Sequence, residues 1–145
     1  GQVPRLCAEC MADVVLDTNI VLDAFVFDDP LSRALTLALA ARQLQWLATK
    51  AMRDELARVL LYPKIAQRLA LSKLSAAHVM AQFDGQATLV DTAAKAPVTC
   101  RDPDDQKFID LAVAHQALLL SKDKAVLCMK KRLLALSVRA QNAIN

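Results

Sequence analysis

The sequence predicts an α/β domain with a central, mainly parallel sheet of four to five strands and helices on both faces. Three observations carry that prediction. Short apolar runs alternate along the chain with longer segments of helical periodicity, the order that builds parallel sheets. Two of the runs, Val14-Val15-Leu16 and Leu118-Leu119-Leu120, are apolar without alternation, as strands buried on both faces are. Both lead straight into polar residues, Asp17-Thr18-Asn19 and Ser121-Lys122-Asp123. In a parallel sheet those ends point the same way, towards the cleft where α/β proteins bind ligands.

The elements follow in order. Residues 1–10 read as a tail or an upstream remnant ahead of Met11, and 11–145 as a single domain. Val14 to Asp17 is the first strand and Asn19 to Phe27 the first helix. Asp29 suits an N-cap and Pro30 the first position of a helix from about Leu31 to Gln43. Gln45 to Thr49 is the second strand. Thr49 caps a helix from Lys50 to Leu61, which Tyr62-Pro63 ends, because proline disfavours a helical residue before it. Within it Met52, Glu55, Leu56, Val59 and Leu60 fall at i, i+3, i+4, i+7 and i+8, one face of an amphipathic helix. Glu55 therefore sits on the apolar stripe, where a lone carboxylate is costly to bury. Lys64 to Leu71 is a short helix. Ser75 caps another that runs to Phe83 and is broken by Asp84-Gly85. Thr88 to Val90 is the third strand. Asp102-Pro103 opens a helix to about Gln116. Ala117 to Ser121 is the fourth strand, Lys124 to Leu136 the last helix, and Ser137 to Ala140 a fifth strand.

Composition narrows the function classes. A chain of 145 residues, 55% of them hydrophobic, has the makings of one full core and is not a disordered segment. No apolar run reaches the roughly 18 residues of a membrane span, and the first ten residues lack the apolar core of a secretory signal. Cytoplasmic residence is expected. The absence of G-x-G-x-x-G and P-loop motifs argues against nucleotide binding of those kinds. Cys7-Ala8-Glu9-Cys10 has the C-x-x-C spacing of metal and redox sites, but no second nearby Cys/His pair completes a zinc site. Cys100 and Cys128 read as free thiols, and His78 and His115 as surface positions. Net charge is +3, which permits an anionic partner. Lys122, Lys124, Lys130, Lys131, Arg132 and Arg139 gather in the last quarter, as a solvated face or as a surface for nucleic-acid phosphates.

The acids Asp17, Glu55, Asp102, Asp104, Asp105 and Asp123 are the candidates for chemistry. Hard divalent cations take oxygen ligands from a few carboxylates, and acids brought together need a cation or shifted pKa values to persist. Each acid also has a structural reading. Asp102 and Asp123 suit helix N-caps, Asp104 and Asp105 a first helical turn, and Asp17 a strand end. Glu55, mid-helix and on the inward stripe, is the hardest to explain that way. Periodicity does not choose between Asp104 and Asp105.

Four segments in order resemble the successive motifs of PIN-domain ribonucleases. They are Val14 to Leu22, then Asp54-Glu55-Leu56 with Val59-Leu60, then Arg101-Asp102-Pro103-Asp104-Asp105-Gln106-Lys107-Phe108, then Leu118 to Asp123. The third is similar to the subgroup assigned as toxin components of bacterial toxin–antitoxin pairs. The resemblance implies a three-layer α/β/α fold and Mg²⁺- or Mn²⁺-dependent endonucleolysis of RNA. It implies that Asp17, Glu55, Asp105 and Asp123 form the catalytic and metal-binding set. Asn19 supports the first acid, and Ser121 stands where the family more often has threonine. Asp102 is an extra acid, a cap first and a more distant metal partner second. Lys124-Ala125-Val126 departs from the family's continuation without touching the acids. A toxin role would bring a small antitoxin partner, and the Ala/Leu-rich helices around 31–43 and 64–83 could pair two copies into a homodimer. Two other readings compete. One is a non-catalytic module that binds RNA or protein. The other is a haloacid dehalogenase-type phosphatase with Asp17 as nucleophile, which Asn19 disfavours because that chemistry usually has a second aspartate there.

Overall fold

The computed structural model describes residues 12–144, so the reading of residues 1–10, Met11 and the Cys7/Cys10 pair lies outside the described residues. Strands β1 (Ala12–Leu16), β2 (Leu44–Ala48), β3 (Ala87–Leu89), β4 (Leu118–Leu120) and β5 (Ala140–Gln141) form one sheet in the order β3-β2-β1-β4-β5. Every pairing is parallel. Helices α1 (Thr18–Phe25), α2 (Arg33–Ala40), α3 (Lys50–Val59), α4 (Pro63–Leu71), α5 (Ala76–Gln86), α6 (Gln106–His115), α7 (Lys124–Leu127) and α8 (Lys130–Leu134) flank it. The α/β/α expectation holds, with five parallel strands.

Strand order explains the layering. From β1 the chain moves one way to β2 and β3, then returns and moves the other way to β4 and β5. Right-handed crossovers in opposite directions put their helices on opposite faces. The reversal lies between β1 and β4, where the register pairs Val14 with Leu118, Val15 with Leu119 and Leu16 with Leu120. Asp17 and Ser121 are therefore brought level just beyond the last pair. The crevice at such a reversal is where open α/β sheets bind ligands.

The centre of the sheet is fully buried. Val14, Val15 and Leu119 have no exposed surface, and α6, with Ile109 and Ala112 fully buried, packs against β1 and β4. On β2, Trp46 stacks on Phe25 at 5.9 Å and meets the edge of Phe83 at 4.9 Å, which locks α1 and α5 to the sheet.

Three expectations fail. Asp84-Gly85 does not break α5, which continues to Gln86. Arg53 of α3 grips Asp84 with two hydrogen bonds of 2.7 and 2.8 Å, and Phe83 is buried, so tertiary contacts hold the last turn helical despite glycine's low propensity. The last helix is also not continuous from Lys124 to Leu136. It is divided at Cys128-Met129 into α7 and α8. The Ala125 carbonyl accepts the thiols of Cys100 and Cys128, each at 3.4 Å, while Met129 N–H bonds one residue further on, to Val126 O. The tightened turn ends the α-helical ladder there. The segment expected as one helix from Leu31 opens instead with a 3₁₀ turn, Pro30–Ser32, capped by Asp29 as expected.

Because α5 passes through Gly85, a methyl group there meets nothing within 4 Å. Gly85→Ala is expected to raise stability by about 0.5–1 kcal/mol, from lower unfolded-state entropy. A rightward shift of the urea midpoint with unchanged slope is the measurement.

Candidate metal centre

Asp17 is the first residue past β1 and the N-cap of α1. Its Oδ1 accepts Asn19 N–H at 3.4 Å, and its Oδ2 accepts the Ser121 hydroxyl at 2.7 Å. Ser121 lies just past β4 with no exposed surface, and its Oγ also accepts Asp123 N–H at 3.0 Å. One hydroxyl thus ties the ends of both central strands together. Asp123 caps α7, with Oδ1 accepting Ala125 N–H at 2.9 Å.

Asp105 reaches the same place from the 90–105 loop. Gln106 Oε1 accepts Cys100 N–H at 2.6 Å, and its Nε2 donates to Val98 O and Asp110 Oδ1. Asp110 also accepts Ala96 N–H at 2.9 Å. The loop is thereby pinned to the first turns of α6. Asp102 caps the 3₁₀ turn Pro103–Asp105 through Asp104 N–H, at 3.0 Å. Asp105 makes no capping bond, and its Oδ2 is buried without a hydrogen-bond partner.

Asp17, Asp105 and Asp123 each offer an oxygen within 4.8 Å of the others. These three form the compact group. Glu55 stands apart from it but lines the same cleft of about 710 Å³, with Asn19, Asp102 and an apolar wall that includes Leu22, Val59, Tyr62 and Ile65. Asp104 is exposed and does not line the cleft. A donor set of carboxylate oxygens, one of them orphaned in a buried position, fits a hard divalent cation.

The electrostatics match. Burial pushes the Asp105 carboxyl up to about 8, followed by the effect of the adjacent Asp123 carboxyl and by the charges of Asp17 and Asp102. The adjacent Asp105 carboxyl, with the Ala125 amide, holds Asp123 below the usual range. Asp17 is raised, first by burial, and its bonds to Ser121 and Asn19 N–H oppose that rise.

The basic residues behave differently. Lys122 pairs with the nearly buried Asp23 of α1 at 2.5 Å, tying the loop after β4 to α1. Lys124, Lys130, Lys131 and Arg132 are exposed. None of these five lines the cleft, whereas Lys64 does. Sequence reasoning gave no role to Lys64, Asp23 or Lys107. Lys107 Nζ lies 2.8 Å from Glu55 Oε1, a charge contact without hydrogen-bond alignment. A carboxylate on an apolar stripe calls for a cationic partner, and that was the available signal.

Asp105 binds a proton that the unfolded chain releases between its ordinary pKa of 3.8 and about 8. Metal-free protein should therefore lose stability as pH rises across that window. Asp105→Asn should remove part of the loss, gaining on the order of 1 kcal/mol at pH 8 and little near pH 4. Urea midpoints with a chelator present, taken at both pH values, would show it. An equal gain at both would contradict the proton assignment.

Comparison with curated proteins gives no match. A family model described as PIN domain matches residues 13–125, which takes in β1 from Asp13, all three clustered acids and Glu55. The chain belongs to the PIN-domain family, whose members are in general nucleases that act on RNA and typically use divalent metals.

Proposed function

We propose that the protein is a divalent-metal-dependent endoribonuclease in which Asp17, Asp105 and Asp123 hold Mg²⁺ or Mn²⁺. The observation that carries this reading is the buried, partnerless Asp105 Oδ2 within a group of three acids. Capping explains one oxygen each of Asp17 and Asp123, but it explains nothing at Asp105. When bound, the ion supplies charge stabilisation at the phosphate and an acidified water. Ser121 fixes the Asp17 carboxylate, and Asn19 and Asp102 complete the polar rim. Glu55 orients the attacking water and accepts its proton.

The cleft's second wall suits the rest of an RNA strand. Tyr62 is half-exposed beside Ile65, and its ring offers a stacking face to an unpaired base. Single-stranded RNA is the substrate form this favours. Lys64 is placed to meet a phosphate at the cleft, and Lys122, Lys124, Lys130, Lys131 and Arg132 extend a basic surface that makes binding salt-sensitive. In the same reading the protein is cytoplasmic and is the toxin of a toxin–antitoxin pair. A small antitoxin would block the acidic cleft with a basic side chain. Exposed Leu31, Leu37 and Leu71, on the 30–40 segment and α4, suit pairing of two copies. No helix of the described residues is long and apolar enough to cross a membrane.

The test is cleavage of single-stranded RNA with Mg²⁺ or Mn²⁺ by wild type, Asp17→Asn and Asp105→Asn. Loss of a mere partner of a metal ligand typically costs about 10–100-fold, so removing a ligand should cost at least that. Equal turnover by all three proteins would overturn the assignment.

A further inference from the structure

Glu55 and the three aspartates share a cleft but differ in what already engages them. The aspartates offer oxygens within 4.8 Å of one another, and Glu55 is not in that group. Its Oε1 is shut off from solvent and faced by Lys107 Nζ at 2.8 Å. Lys107 is held in that position by two further contacts. Its Nζ donates to Asp104 O at 2.5 Å and lies 4.8 Å from the centre of the Phe108 ring. Side-chain exposure is 30% for Lys107 and 21% for Glu55, so the pair is partly withdrawn from water and its attraction is screened less than a surface pair's. For Glu55 to enter a metal's coordination sphere, this contact must break and leave an ammonium half-buried without its partner.

We infer that Lys107 is a positioning residue that withholds Glu55 from the metal. The cation is held by Asp17, Asp105 and Asp123 alone, and Glu55–Lys107 stands beside it as an internally neutralised pair. The inference rests on the metal-site reading above. It assigns different work to two acids of one cleft: Asp105 binds the ion, and Glu55 keeps a carboxylate beside it for water.

Calorimetric titration of the metal-free full chain with Mn²⁺ tests this. Wild type and Glu55→Gln should bind with affinities within about twofold of each other, whereas Asp105→Asn should lose binding. Lys107→Met should free Glu55 and gain either at least fivefold in affinity or a second Mn²⁺ per chain. That gain should vanish in the double variant Lys107→Met/Glu55→Gln. Lys107→Arg, which keeps the charge, should behave as wild type. The inference is overturned if Glu55→Gln weakens Mn²⁺ binding as Asp105→Asn does. It is equally overturned if Lys107→Met changes nothing, or if its gain survives loss of the Glu55 carboxylate. Failure of wild type itself to bind Mn²⁺ would overturn the metal-site reading and this inference together, while tight binding with any of the preceding failures would overturn this inference alone. Circular dichroism melts of each variant confirm that the comparison is among folded proteins.

Discussion

Three carboxylates within 4.8 Å of one another repel, on the order of 3 kcal/mol per pair at an effective dielectric near ~20. The architecture around them holds that arrangement together. The β1–β4 register sets Asp17 beside Ser121, and the Ser121 hydroxyl donates to one acid while accepting the backbone N–H of another. Helices α1, α6 and α7 all begin at these acids, so their positive ends oppose part of the repulsion. The remainder appears as protonation: Asp105 keeps a proton well above the usual carboxylate range. A cation would relieve the same repulsion, so proton and cation are alternative ways of lowering the site's negative charge.

That constraint accounts for features remote from the cleft. The loop bearing Asp105 is long and, left to itself, would place the acid poorly. Gln106 and Asp110, one turn apart on α6, bind backbone groups of Ala96, Val98 and Cys100 and so set the approach of the chain into the 3₁₀ turn. Lys122 and Asp23 fix the other loop, between Ser121 and Asp123, against α1. Polar pairs of this kind are costly to bury and contribute little net stability, but they specify geometry. The apolar centre below, Val14, Val15, Leu119 and Ile109, supplies the stability that lets the rim be electrostatically strained.

Much of this was legible in the sequence, for identifiable reasons. Unbroken apolar runs and helix caps are local signals, and the strands around Val15 and Leu119 and the caps at Asp29, Thr49, Ser75 and Asp102 follow from them. The continuation of α5 through Gly85 and the break at Cys128 were not legible. The first depends on Arg53, which is 31 residues from Asp84, and the second on the Cys100 thiol reaching Ala125 O. Periodicity could not choose between Asp104 and Asp105. In the fold the choice is made by the 3₁₀ turn, which buries Asp105 and leaves Asp104 exposed. Lys107 was invisible for the same kind of reason. Its partner Glu55 is on another helix, and nothing in the spacing of either announces the other.

Capping and metal binding are usually set against each other as explanations for an acid at a helix start. Here they meet on the same side chains. Asp17 and Asp123 each give one oxygen to a backbone N–H, which fixes the carboxylate plane, and the other Asp17 oxygen accepts the Ser121 hydroxyl. A carboxylate held in this way would lose less rotamer entropy on binding a cation than one with both oxygens free. Asp105 has no such cap, and its carboxyl is pushed up to about 8, first by burial. The structural reading of these acids and the proposed functional one are therefore compatible: the caps fix Asp17 and Asp123, and the uncapped Asp105 is the acid whose buried oxygen has no hydrogen-bond partner.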